Sequence, residues 1–405
     1  MAGDVGNVND AVIIDAVRTP FGKGRATGAL AGVHPVDLLS HTLKAVVERN
    51  GIDPGELDDV IIGCVSQVGD QSLNIARSAV LASGFPERVP ATTIDRQCGS
   101  SQQAVHFAAQ GVRAGSYDLV IAGGVESMSR VPLGSSIVGA TGGGEGLHAR
   151  YPEGLVAQGI SAELIAARWG LSRTDLDEFS VRSQQRAAQA RDEGVLDGEI
   201  VPIKAPDGEG TLREVVADEG IRPSTVEQLA GLRPAFASDE MSARFPQIEW
   251  SVTAANSSQL TDGAAVLLIA SSERATALGL RPRARVANMV VEGDDPLMML
   301  TAIIPATAKL LARSGLSLAD IDYFEVNEAF ASIVLAWVKE VGADLDRVNV
   351  RGGAIAYGHP LGASGARLMG SLLGTLEQRE ARYGVQLMCE GGGMANATLI
   401  ERLGR

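Results

Sequence analysis

The chain has 405 residues, 45% of them hydrophobic, and a formal net charge of -14 at pH 7. That length can bury two sizeable cores, and an acidic balance without any Lys/Arg block excludes nucleic acid, which needs a concentrated basic footprint. Three cysteines with no CxxC pair form no disulfide framework and suit a reducing compartment, so the thiols are free for chemistry.

Met1 to Asp10 is polar and small, and the apolar run that follows is cut by Asp15 and Arg18. No signal-peptide core or membrane span can be drawn there, and a cytoplasmic protein without membrane attachment is expected. Asp58 to Val65 reads as a buried β-branched strand, with Cys64 as a small core residue in mid-strand. Cys98 then stands in Arg96-Gln97-Cys98-Gly99-Ser100-Ser101, just ahead of a helix predicted over 101–114 by the spacing of Ala104, Val105, Ala108, Ala109 and Val112. A sulfur at a helix N-terminus faces unpaired N–H groups and the positive end of the dipole, which should lower its pKa. A second strand is predicted over 118–124.

From Pro132 to Arg244 the composition changes. Glycines crowd 139–146, amphipathic helices are predicted over 161–169 and 174–191, and a polar stretch with Pro202, Pro206 and Pro223 follows. Such a segment reads as an insertion or lid, and the arginines between Arg182 and Arg244 are its candidates for an anionic small molecule.

The C-terminal part repeats the grammar of the first. A strand is predicted over 321–326 and ends in Asn327-Glu328-Ala329-Phe330, a polar pair out of place at a buried strand end unless it binds something such as a water. His359 stands in the turn Tyr357-Gly358-His359-Pro360-Leu361-Gly362, with a helix predicted over 368–376, and a strand over 385–389 runs into Cys389-Glu390-Gly391-Gly392-Gly393. A thiol nucleophile, a histidine to deprotonate it and a second thiol to carry a proton are the equipment for acyl transfer through a thioester. The two parts read as duplicated α/β halves, with Cys98 and His359 on equivalent strand-to-helix turns facing each other.

These motifs, in this order, resemble the thiolase family over essentially the whole chain. The family fold so implied is α/β: two duplicated halves in a five-layer arrangement with an inserted loop domain that holds CoA. The segments are then 1–131, the first part of the N-terminal half; 132–250, the CoA-binding insertion; 251–278, the rest of that half; and 279–405, the C-terminal half. The resemblance implies catalytic Cys98, His359, Cys389 and Asn327, with the N–H groups of Cys98 and Gly391 receiving the oxyanion. It places Arg222 near the adenine of CoA, Phe236, Ala254 and Ser258 along the pantetheine, and Ala329 and Phe330 in the tunnel. CoA is a substrate, and no metal or permanently bound cofactor is implied. The partners are acyl-CoA and CoA, in a homodimer or homotetramer.

The turns around Cys98 and Cys389 are similar to those of actinobacterial degradative enzymes acting on fatty acyl or steroid-derived substrates. Thiolytic cleavage of 3-ketoacyl-CoA, as in fatty-acid β-oxidation, is therefore the first expectation, and acetyl-CoA acetyltransferase activity the second. A β-ketoacyl synthase, which uses His or Asn where Cys389 stands, and a non-catalytic scaffold are distant alternatives. The chain departs from many biosynthetic relatives at Ala157 and Gln158, which replace His-Met in the region that shapes the acyl pocket.

Overall fold

Strand-forming runs rich in Val, Ile, Leu and Ala recur along the chain. In the computed structural model, which describes residues 10–140, 142–207 and 211–404, they form β1 (Ala11–Arg18), β2 (Gly22–Lys23), β3 (Asp59–Gly63), β4 (Thr92–Ile94), β5 (Leu119–Ser127), β6 (Ile203–Pro206), β7 (Leu212–Val215), β8 (Thr261–Ser271), β9 (Ala284–Gly293), β10 (Tyr323–Val326), β11 (Tyr383–Glu390) and β12 (Met394–Arg402). Residues 1–9 and 405, assigned above to the two halves, residue 141 of the glycine cluster and residues 208–210 of the insertion lie outside the description.

The strand order β4-β3-β5-β8-β1 builds the first half, and β10-β11-β12-β9 the second, with Val348 adding a one-residue parallel bridge beside Phe324. Ranked within its own half, each sheet runs third, second, fourth, fifth, first. β3 lies parallel to β4 and β5, as β10 lies parallel to β11, while β8 and β12 run antiparallel to both of their neighbours. The halves meet edge to edge at Val12↔Arg285 and Ile13↔Ala284.

The duplication reaches individual bonds. Asp58 Oδ2 accepts from the N–H groups of Asp118 and Leu119, and Asp322 Oδ2 accepts in the same way from Arg382 and Tyr383. The helices Pro35–Asn50 and Ile303–Ser314 each end on a left-handed glycine, Gly51 and Gly315, before the β3 and β10 units.

Alternation along buried strands explains the layers. Val266, Leu268 and Ala270 of β8 face the outer helices Pro35–Asn50 and Ile75–Ala82, whereas Ala265, Leu267 and Ile269 face the helices Ser100–Arg113 and Leu361–Gln378. These last two helices form the central layer, buried along nearly their whole length because Ala104, Ala108, Gly365 and Ala366 let them pack closely. On the far side of the second sheet lie Ile303–Ser314 and Ala331–Val341. The result is five layers: helix, sheet, helix, sheet, helix.

The segment between β5 and β8 packs on both halves. Its helix Gln158–Trp169 lies on Ala331–Val341, where Ser332 Oγ donates to Ala162 O at 2.9 Å, and its β6–β7 hairpin places Ile203, Ala205 and Val215 in the core of the first half. Helix Arg173–Asp192 is tied to the second half through Ser183 Oγ, which donates to Glu328 Oε2 at 2.6 Å.

Three expectations are corrected. Cys64 follows β3 rather than sitting in mid-strand, though it is buried. The helix after His359 begins at Leu361, seven residues earlier than the apolar spacing suggests, because Gly362, Ala363, Gly365 and Ala366 carry little hydrophobic signal while packing tightly. Glu328 binds the chain itself, accepting from Ser183, Asn349 and Ile355 N–H, and needs no ligand to explain it.

Candidate active site

The turn that carries Cys98 is held in a costly shape. Gln97 adopts φ 48°, a left-handed conformation that costs a residue with a Cβ about 1 kcal/mol or more. Local bonds maintain it: Asp95 Oδ1 accepts from Gln97 N–H at 2.6 Å, and Ser100 Oγ accepts from Arg96 N–H at 2.9 Å while donating to Gln97 O at 2.6 Å. Cys98 follows, 2% exposed, and Gly99 caps the central helix Ser100–Arg113.

His359 enters from the other half between the short helix Ala354–Tyr357 and the central helix Leu361–Gln378, not on the strand-to-helix turn expected by analogy with Cys98. Gly358 has φ 99°, and a Cβ there would overlap the side chain of Thr261, so glycine alone fits. His359 N–H donates to Gln259 O at 2.9 Å, which fixes the backbone. Its Nδ1 lies 2.6 Å from Ser364 Oγ, and Ser364 Oγ donates its single proton to Pro360 O at 2.9 Å. Nδ1–H must therefore donate to Ser364, which leaves Nε2 unprotonated and able to accept a proton. Asn327, just after β10, presents Nδ2 to that Nε2 at 3.4 Å and to Cys389 Sγ at 4.0 Å. Cys389 lies near the end of β11, and the hairpin turn beyond it brings Gly391 N–H against the Cys98 sulfur. The structure thus gathers Cys98, His359, Cys389, Asn327 and Gly391 at the C-terminal ends of strands from both halves, where open α/β sheets place their ligands.

Burial dominates the electrostatics. It drives the Cys98 thiol well above the ordinary range, with Cys389 and Glu390 adding to the effect and the N–H groups of Gly391 and Cys98 opposing it. The expected lowering by the helix N-terminus is thus outweighed. Burial also pushes Cys389 up to about 12, against the Asn327 amide, and pulls His359 down to about 3, helped by the charge of Arg367. At neutral pH the resting site holds two thiols and a neutral imidazole.

Beside this centre Phe236 and Phe330 pack edge to face with centroids 6.0 Å apart, and Ser258 N–H donates to Ala329 O at 2.9 Å, so these four form one wall. Ala254 and Arg222 are exposed. Arg222 N–H donates to Gln184 Oε1 at 2.7 Å, and its side chain is exposed to solvent. Arg182, Arg186, Arg191 and Arg244 instead meet acceptors within the chain. Ser364, the tautomer lock on His359, carries no signal in the sequence, because its pairing depends on a helical turn of small residues that begins at Leu361. Nor does the sequence show that Gln158 Nε2 and Gln97 Oε1 crowd Gly391.

The model of the family described as "Thiolase, N-terminal domain" matches residues 11–273, and that of "Thiolase, C-terminal domain" matches residues 280–402. The chain is 46% identical to the steroid 3-ketoacyl-CoA thiolase FadA6 of Mycobacterium tuberculosis, over 98% of this chain and 95% of that protein. It is 44% identical to a 3-ketoacyl-CoA thiolase of Erwinia tasmaniensis, over 97% and 99%. Among solved structures it is similar to the Bacillus anthracis acetyl-CoA acetyltransferase, with TM-score 0.86, 38% identity and coverage of 98% and 99%. Human mitochondrial 3-ketoacyl-CoA thiolase gives TM-score 0.86 at 33% identity, covering 98% and 100%.

Proposed function

This chain belongs to the thiolase family, and on that footing we propose that it cleaves 3-ketoacyl-CoA with free CoA through an acyl-enzyme on Cys98. The observation that carries the reading is a pair of buried, electrostatically coupled thiols, Cys98 and Cys389, the second linked through Asn327 to a neutral imidazole whose tautomer is fixed by Ser364. His359 Nε2 takes the Cys98 proton as the sulfur adds to the C3 carbonyl, and the N–H groups of Gly391 and Cys98 receive the oxyanion. Collapse breaks the C2–C3 bond. The Cys389 thiol protonates C2 of the leaving enolate, whose oxygen is stabilised by the protonated His359 and a water on Asn327. Asn327 Oδ1 has no partner within the protein, which supports that use. CoA then gives its thiol proton to Cys389 and attacks the acyl thioester, and the departing Cys98 sulfur recovers its proton from His359.

Phe236, Ser258, Ala329 and Phe330 line the path of the pantetheine in this reading, with Ala254 beside it and Arg222 supplying charge for the nucleotide end. Residues 1–131 with 251–278, and 279–405, are the catalytic halves, and 132–250 holds CoA. A homodimer or homotetramer is the assembly we propose, acting in the cytoplasm in fatty-acid or related degradation. Among the described residues no helix is long and apolar enough to cross a membrane.

A ladder of 3-ketoacyl-CoA substrates, followed by CoA-dependent loss of enolate absorbance, tests the function. Turnover should rise from acetoacetyl-CoA to long-chain or ring-bearing rungs, as similarity to a steroid thiolase supports. Best turnover on acetoacetyl-CoA would favour the acetyltransferase reading, which the Bacillus anthracis neighbour motivates. No turnover on any rung would overturn both.

Ser364→Ala should lower kcat about tenfold, the worth of one hydrogen bond that orients a catalytic base, with KM little changed. Steady-state kinetics checks this, and an unchanged kcat would remove the tautomer lock from the mechanism.

A further inference from the structure

The duplicated halves carry matched glutamates with opposite fates. Eight residues on from the equivalent Asp118 and Arg382 stand Glu126 and Glu390, each buried at the end of its strand and each directed at the start of the other half's central helix. Glu126 is fully satisfied: it accepts from the N–H groups of Val65, Ser66 and Gly362 and from Gln71 Nε2, at 2.7 to 3.1 Å. It clamps the halves together.

Glu390 has lost that role. By the same counting, Ala329 is the counterpart of Val65, but its N–H is turned to the Cys389 sulfur. Neither oxygen of Glu390 makes a hydrogen bond, and Asn396 N–H faces the carboxyl without meeting bonding geometry. The carboxyl fits only because residue 99 is glycine, since a Cβ there would overlap Glu390 Oε1. This puts an unpartnered, fully buried acid against the residue that follows Cys98. The charged or titratable groups around it are Arg96 and Asp95 on the nucleophile loop, Cys98 itself, and Cys389 on its own strand.

We propose that Glu390 is a positioning residue for the nucleophile: its neutral, protonated carboxyl permits the Cys98 thiolate to form, and its ionisation shuts that thiolate off. The proposal rests on Cys98 being the nucleophile. A second buried anion beside a thiolate is strongly unfavourable, and like charges in one site force at least one group to keep its proton. Burial, opposed by Arg96, pushes the Glu390 carboxyl up to about 8, so the switch operates at mildly alkaline pH. The sign follows directly. Below that range Glu390 is neutral and Cys98 reactivity climbs with pH as for any thiol, and above it each added carboxylate holds the thiol protonated.

The test is the rate of Cys98 alkylation by iodoacetamide from pH 6 to 10, assigned by peptide mass, in the full chain and in Glu390→Gln. This readout needs no ketoacyl substrate, so it can fail while the proposed turnover stands, and the reverse. The native rate should flatten above about pH 8, whereas Glu390→Gln should keep climbing and exceed it about tenfold or more by pH 9.5. Superimposable profiles, or profiles offset by a constant factor at every pH, would overturn the proposal by leaving Glu390 a packing role only. Should Glu390→Gln not fold, Glu390→Ala carries the same expectation, since it too removes the ionisable group.

Discussion

Cys98→Ala should abolish acyl-enzyme formation and lower kcat about 10^5-fold or more, because no other group in the site can hold the acyl chain. The other thiols do not substitute. Cys64 is buried among the outer core of the first half, and Cys389 has Asn327 against its sulfur. Cys389→Ala should behave differently. It retains the nucleophile, the oxyanion donors and His359, so a simple acyl-CoA should still load Cys98. It loses the proton for C2, and cleavage should fall by about 10^2 to 10^4. Mass measurement of the loaded enzyme, alongside thiolysis rates for both variants, separates the two roles. If Cys389→Ala kept full thiolysis, the proton would be coming from elsewhere and the assigned division of labour would be wrong.

The second large effect is on stability. Arg18 ends β1 and is 2% exposed, yet it makes a bidentate pair with Asp218 at 2.7 and 2.9 Å and a further bond to Glu199 at 2.8 Å, with the rings of Phe21 and Tyr357 beside its guanidinium. One cation thereby joins the first half, the insertion and the turn before His359. Arg18→Met keeps much of the volume but strands two carboxylates, and removing one side of a buried pair typically costs about 3 to 5 kcal/mol. A drop of several degrees in the unfolding midpoint is expected, together with a raised KM for CoA as the insertion loosens. Arg18→Lys should recover little, because an ammonium cannot reproduce the fork. An unshifted midpoint in Arg18→Met would mean that Asp218 and Glu199 find other donors.

Much of this site is legible in the sequence. Cys98, His359 and Cys389 announce themselves because the turns that carry them need glycine, and glycine is visible in sequence. Asn327 was legible as a polar residue at the end of an apolar strand. Its neighbour Glu328 gave the same signal for an unrelated reason, since Ser183 and Asn349, far away in the chain, supply its partners. The acidity of Cys98 is not legible, because helix dipoles are local and readable, whereas the burial that overrides them comes from tertiary packing. The contrast between Glu126 and Glu390 is invisible in one dimension, because both are glutamates after a run of small or apolar residues and the donors that meet the first and miss the second come from distant segments.

The strand order has a consequence for how the protein is made. β1 leaves the ribosome well before its long partner β8, which lies about 250 residues downstream, so at ordinary synthesis rates its Ala-Val-Ile-Ile run waits roughly 12 to 50 s for pairing. β11 and β12, in contrast, join through a short hairpin and pair as soon as they emerge. The first half therefore cannot close its sheet until the insertion has been synthesised. An apolar, β-branched strand left unpaired that long is a natural client for chaperones and a seed for aggregation when expression outruns them.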